Sequence, residues 1–207
     1  MIGELYERAL EGRDGVEVEF EDGTGHRGPL PVQEWMALRP GDQGLLERCV
    51  GPTLDVGSGP GRLTVALTER GLLALGIDIA PYAVALTVAA GGPALCRDVF
   101  GHVPGAGIWT TLLLADGNIG IGGDPRTLLE RALGLLAPGG RVLAEVMPPG
   151  IRTYTGRVRL RTGRVVGDWF PWAWVSADDI AGLAGECGAA VTEVWEEAGR
   201  WFVALNR

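Results

Sequence analysis

The residues best suited to chemistry form one run, Asp55-Val56-Gly57-Ser58-Gly59-Pro60-Gly61, where an apolar stretch passes into glycines and a helical pattern begins at Arg62. Glycines there let the backbone approach a ligand without side-chain obstruction, and they admit positive φ. Two more acids follow in similar settings. Asp78 closes the apolar run LLALGID, and Asp98 follows the run ALCR, with Val99 next to it. A carboxylate at Asp78 can accept hydrogen bonds from both hydroxyls of a ribose, the role an acid plays in dinucleotide-binding folds. One at Asp98, beside the Val99 backbone N–H, can meet an adenine amino group. Either aspartate alone reads as a strand-end or capping residue. Asp55, Asp78 and Asp98, at the carboxyl ends of three successive apolar runs, read better as one ligand-binding edge.

Spacing narrows the ligand. A dinucleotide site expects G-x-G-x-x-G, with a pyrophosphate on the helix N-terminus. The order here is D-x-G-x-G-x-G. It suits a ligand with a ribose, an adenine and a charged amino-acid end but no phosphate. The chain holds 34 glycines, and all 18 of its basic residues are arginine, so composition is biased and isolated glycines carry no weight.

Strands and helices must alternate to place these residues. Thr53–Val56, Leu72–Ile77, Ala94–Arg97, Trp109–Leu114 and Arg141–Val146 read as buried strands. Helices are expected over Arg62–Arg70 with Gly71 after it, from Pro81 to Ala90, and from Asp124-Pro125 to Leu136, with a Pro138-Gly139-Gly140 turn following. Upstream, residues 4–10 read as a helix, and Val16, Val18 and Phe20 alternate like a half-buried strand. Asp42 reads as the cap of a helix through Cys49. Ser176 reads as the cap of a helix over 176–187, followed by a hairpin of Ala190–Glu196 and Trp201–Leu205 around Gly199. This order predicts an α/β fold: a doubly wound, mostly parallel seven-stranded Rossmann-like sheet with an antiparallel C-terminal hairpin at its edge.

Bulk properties exclude several classes. A net charge of −8 argues against a nucleic-acid partner, because phosphate binding needs a positive field. No apolar run is long enough for a membrane span. The acidic N-terminus lacks a signal pattern, so a cytoplasmic protein is expected. Cys49, Cys96 and Cys187 are scattered and read as reduced buried thiols. With two histidines, His26 and His102, no metal site is expected.

From Leu54 to Val146, and more loosely to the C-terminal hairpin, the sequence resembles the class I S-adenosylmethionine-dependent methyltransferases. Asp55, Gly57, Gly59 and Gly61 match the signature loop, Asp78 the ribose acid, and Asp98 with Val99 the adenine side. LLLADGNIGIGGDP resembles the region after the fourth strand, and LLERALGLLAPGGRVLAEV the following helix, L-x-P-G-G turn and fifth strand. The resemblance implies S-adenosyl-L-methionine as cofactor, held by Asp55, Gly57, Ser58, Gly59, Gly61, Asp78, Ile79, Asp98, Val99, Ala115 and Asp116. The order of elements along the chain reads as a single domain, 1–207, with an N-terminal extension or lid (1–41), a cofactor-binding core (42–146), an insertion (147–175) and a C-terminal helix and hairpin (176–207). Ala80 replaces the usual Ser or Thr two residues after the ribose acid. ADGN stands where base-amino methyltransferases carry Asn/Asp-Pro-Pro-Tyr/Phe.

Methyl transfer needs alignment and no protein nucleophile. The expected acceptor is a small molecule. Asp116 and His102 are the candidate bases, and His26 lies in the N-terminal loop. In the insertion, Arg157, Arg159 and Arg161 share one face of a strand. They either contact an anionic or aromatic substrate, or are solvated or meet the acids of residues 1–22, and the second reading is preferred. Trp169, Phe170, Trp172 and Trp174 read as lid or core, and Trp35 as a pocket cap or helix contact. Two alternatives stay open: a catalytically silent S-adenosylmethionine-binding regulator or scaffold, and an NAD(P)-dependent oxidoreductase, which the glycine spacing disfavours. Oligomeric state is not legible.

Overall fold

The computed structural model describes residues 2–12 and 17–207. The chain opens with helix α1 (Ile2–Glu11), strands β1 (Glu19–Asp22) and β2 (Arg27–Pro29), and the single-turn helix α2 (Val32–Trp35). Alternation then sets in with α3 (Asp42–Glu47), β3 (Thr53–Val56), α4 (Arg62–Glu69), β4 (Ala74–Asp78), α5 (Pro81–Ala89), β5 (Ala94–Cys96), β6 (Trp109–Leu114), α6 (Pro125–Leu135) and β7 (Leu136–Val146). Three strands follow, β8 (Tyr154–Thr162), β9 (Val165–Val166) and β10 (Phe170–Trp174). The chain ends with α7 (Ile180–Glu186), β11 (Ala190–Glu197) and β12 (Arg200–Asn206).

The main sheet has seven strands in the order β11-β12-β7-β6-β3-β4-β5. Its five strands from β7 to β5 are parallel, and β12 and β11 add an antiparallel hairpin. Burial on both faces explains the near-continuous apolar runs. Leu113 and Leu143 pack with Leu45 and Leu46 of α3 and Leu63 and Leu67 of α4. Their neighbours Leu112, Leu114 and Val142 point the other way, onto Leu128 and Leu129 of α6 and Ile180 of α7. The order reverses between β3 and β6, and there the glycine loop opens.

Local signals hold at several ends. Pro81 sits in the first turn of α5, and Asp124 caps α6 by accepting the Thr127 N–H at 3.2 Å. Others differ. Asp42 lies in the first turn of α3, behind Gly41, and its carboxylate serves ion pairs instead of capping. The helix expected from Ser176 is only Ile180–Glu186, because the Ser176 hydroxyl closes a preceding turn on Asp178 N. Pro138-Gly139-Gly140 does not precede the fifth strand but bulges within it: Trp109 pairs Leu136 while Thr111 pairs Arg141. Of the three thiols only Cys49 is buried; Cys96 is exposed. Val16 lies outside the described residues.

The N-terminal segment and the insertion, expected as separate pieces, build one antiparallel sheet, β10-β8-β1-β2, with β9 beside β8. Phe20 faces Leu160 across the β1–β8 pair, and Glu21 faces Arg159. Leu5 and Ala9 of α1 pack on this sheet, while Leu10 packs on Ala80 and Ala83 at the start of α5. Helix α1 thus joins the second sheet to the core. No helix among the described residues is long and apolar enough to cross a membrane.

Candidate active site

A cavity of about 530 Å³ lies between the carboxyl edge of the main sheet and the inner face of the second sheet. That volume falls within the range of small-molecule sites. Val56, Gly57, Ser58, Gly59 and Pro60 form part of its floor, joined by Asp78, Ile79, Asp98, Val99 and Asp116. Gly57, Gly59 and Gly61 all have positive φ, so the loop needs glycine for its path as well as for space.

Asp78 is held firmly. One carboxylate oxygen accepts the Gly59 N–H and the other the Ala80 N–H, both at 2.9 Å. These bonds tie the end of β4 to the glycine loop, and the acceptor that Ala80 cannot offer to the first turn of α5 comes from Glu7 of α1, which accepts the Tyr82 N–H at 3.2 Å. Burial raises the Asp78 carboxyl above its ordinary range, against the lowering effect of the backbone N–H groups. Opposite, the Tyr6 hydroxyl lies 3.2 Å from where a Cβ on Gly59 would stand. Burial, then the charges of Asp78 and Asp116, raise that hydroxyl well above the usual tyrosine value. Tyr6 is a wall residue for which the sequence carried no signal.

Three positions read as cofactor contacts do not reach the cavity wall. Asp55 lies beneath the loop, 2% exposed, accepting the Thr64 hydroxyl at 2.7 Å. Desolvation pushes its carboxyl up to about 6. Gly61 faces Thr87 of α5, whose side chain a Cβ would overlap, so this glycine serves helix packing. Ala115 is buried behind the wall. The two histidines are also displaced: His102 is exposed, and His26 packs on the outer rim of Phe20 with ring centroids 5.9 Å apart.

Asp116 reaches the wall, and its carboxylate is engaged by arginines. Its carboxylate meets Arg62 at 2.6 Å, Arg39 at 2.9 Å and Arg200 at 3.3 Å. Its backbone adopts φ of 55°, and its N–H donates to Glu145 at 2.7 Å. Arg62 also meets Asp42 at 2.8 Å, and Arg200 meets Asp42 and Glu145, each at 2.7 Å. Burial raises the Asp42 carboxyl, but hydrogen bonds from Arg62 and Arg200 outweigh it and leave the carboxyl below its ordinary range. This network was not legible, because Arg39, Arg62 and Arg200 are isolated in the sequence and meet only through the fold.

On the second sheet, side chains divide by parity. Val158 and Leu160 face the cavity, while Arg159 and Arg161 meet Glu21 on the outer face at 3.0 and 3.2 Å. Burial raises the Glu21 carboxyl, and hydrogen bonds from Arg159 and Arg27 bring it below the usual range. Arg159 and Arg161 therefore meet an N-terminal acid, as preferred, while Arg157 is exposed and donates to the Trp169 carbonyl at 3.5 Å. The aromatic cluster splits likewise: Phe170, Trp172 and Trp174 line the cavity, whereas Trp169 lies outside with the Arg159 guanidinium 4.3 Å from its ring centre. Trp35 fills both of its expected roles, lining the cavity and packing edge-on against Tyr6 at 6.1 Å.

Solved structures share this fold. A SAM-dependent methyltransferase from Bacteroides fragilis, in complex with S-adenosyl-L-homocysteine, matches with a TM-score of 0.82 at 20% identity, over 99% of this chain and 93% of its own. A SAM-dependent methyltransferase from Methanosarcina mazei matches at 0.61 and 14% identity, over 83% of this chain and 98% of its own. The 1,6-didemethyltoxoflavin-N1-methyltransferase of Burkholderia thailandensis matches at 0.57 and 17% identity, over 80% of this chain and 74% of its own. No protein-family model matches the chain, and no curated protein matches its sequence. The chain has the class I S-adenosylmethionine-dependent methyltransferase fold.

Proposed function

We propose that the protein is an S-adenosylmethionine-dependent methyltransferase acting on a small molecule. The observation that carries this reading is Asp78, a buried carboxylate on the cavity wall whose oxygens are fixed by the Gly59 and Ala80 N–H groups. A ribose diol placed there meets both oxygens. The reading takes the sheet as doubly wound, with the site at its reversal. Two neighbours of the same fold are described with S-adenosylhomocysteine bound.

The residues present fit the donor. Gly57 to Gly59 offer backbone to the ligand, Asp98 and Val99 offer the adenine contacts, and Ile79 supplies an apolar side chain between Asp78 and Asp98. The donor, when bound, supplies a methyl group on an electrophilic sulfonium. The chain's own contribution is orientation, and exclusion of water by the aromatic side chains of Trp35, Phe170, Trp172 and Trp174 that line the cavity. Asp78→Ala is expected to weaken S-adenosylhomocysteine binding at least ~10-fold, the scale of hydrogen bonds to a charged group. Unchanged affinity by calorimetry would remove Asp78 as the ribose ligand.

One observation favours a second reading, a silent S-adenosylmethionine-binding regulator or scaffold. Asp116, the candidate base on the wall, is shared among three guanidiniums. Tight donor binding without transfer to any metabolite in a panel would favour the regulator.

A further inference from the structure

The roof of the cavity differs in chemistry from its floor. Among the described residues, the charged ones on the wall, Arg62, Asp78, Arg97, Asp98 and Asp116, come from the main-sheet side. Arg62 is committed to Asp42 and Asp116, and Arg97 bonds the Cys96 carbonyl at 2.8 Å beside Asp98. The roof presents Phe20, Trp35, Phe170, Trp172 and Trp174 over Val158 and Leu160. Alternation on β8 turns Arg159 and Arg161 away, onto Glu21. The Trp174 ring is fixed by stacking on Tyr154 at 4.5 Å.

Resting on the methyl-donor reading above, we infer that the acceptor is an uncharged, flat heteroaromatic molecule methylated on a neutral nitrogen. A flat ring gains both burial and stacking between these side chains. A carboxylate or phenolate acceptor would lose its water against rings that offer no cation, an uncompensated cost. Charge flow points the same way. The nitrogen lone pair forms the new N–C bond to the methyl carbon as the C–S bond breaks, and sulfur keeps that pair and leaves as a neutral thioether. Positive charge passes from sulfur to nitrogen, and a nitrogen that carried hydrogen then releases a proton to water. Aromatic faces attract that cation throughout. No protein base is required, which agrees with the engaged state of Asp116.

The test uses the protein saturated with S-adenosylhomocysteine, with tryptophan fluorescence following addition of quinoline or of 2-naphthoate, a similar flat bicycle carrying a negative charge. Quinoline is expected to bind at least ~10-fold tighter than 2-naphthoate, and Trp172→Ala to weaken quinoline by about the same factor. Trp172→Phe is expected to restore most of the loss, and melting curves verify that each variant folds. Equal or tighter binding of 2-naphthoate, or no quinoline binding to the loaded protein, overturns the acceptor assignment alone. Failure of S-adenosylhomocysteine to bind in the first titration overturns the donor reading and this inference together.

Discussion

Asp55 and Asp78 stand on adjacent strands, yet their surroundings give them different work. Asp78 accepts two backbone N–H groups at the cavity edge, whereas Asp55 has the Thr64 hydroxyl and lies beneath the loop. An acid raised by burial to about 6 in the fold, against about 4 in the unfolded chain, binds more protons when folded. Its contribution to stability is therefore present below about pH 4 and lost as pH rises through about 6. Asp55→Asn keeps an acceptor for Thr64 and removes the titration. In thermal melts without ligand, the variant is expected to gain stability relative to the natural protein as pH rises from about 4 to 7. A difference constant across that range would contradict the account.

At the scale of elements, the docking of β10 determines the roof. Trp172 forms a bridge to Ile121 in the loop after β6. Two glycines allow the approach: a Cβ at Gly120 would overlap the Ala173 carbonyl oxygen, and one at Gly123 would stand 2.6 Å from the Pro171 Cβ. Backbone cannot yield as a flexible side chain does, so Gly120→Ala must displace β10. The expected result is a loss of about 1 to 3 kcal/mol in stability, the usual cost of overpacking, with greater proteolysis over residues 147–175. Unaltered melting and digestion would show that β10 is not held by this contact. The sequence identified IGIGG only as part of a longer resemblance. Its packing role was invisible because the partner, β10, lies some fifty residues away.

At the scale of the whole molecule, an ionic network joins distant parts of the chain. Asp42, 1% exposed, bridges Arg62 of α4 and Arg200 of β12. Neutralising it leaves the buried Arg62 and the half-buried Arg200 short of a partner. Asp42→Asn should thus destabilise the fold by about 3 to 5 kcal/mol in denaturant unfolding. A change below about 1 kcal/mol would reduce the network to surface-like pairs.

The alternating core was legible because each element carries its own signal: an apolar run, a Pro at a helix start, a glycine at its end. Asp78, Asp98 and the loop were legible because chemistry and local pattern coincide there. The second sheet was not, since β8 finds its partner across 138 residues at Glu21, and short polar strands such as β2 lack an apolar pattern.

The central claim is that this cavity takes an adenosyl sulfonium donor and not a dinucleotide. Calorimetry of S-adenosylhomocysteine and NAD against the natural protein tests it directly. The account predicts S-adenosylhomocysteine binding with NAD at least ~100-fold weaker, about 2.7 kcal/mol. NAD binding as tightly or more tightly would contradict it.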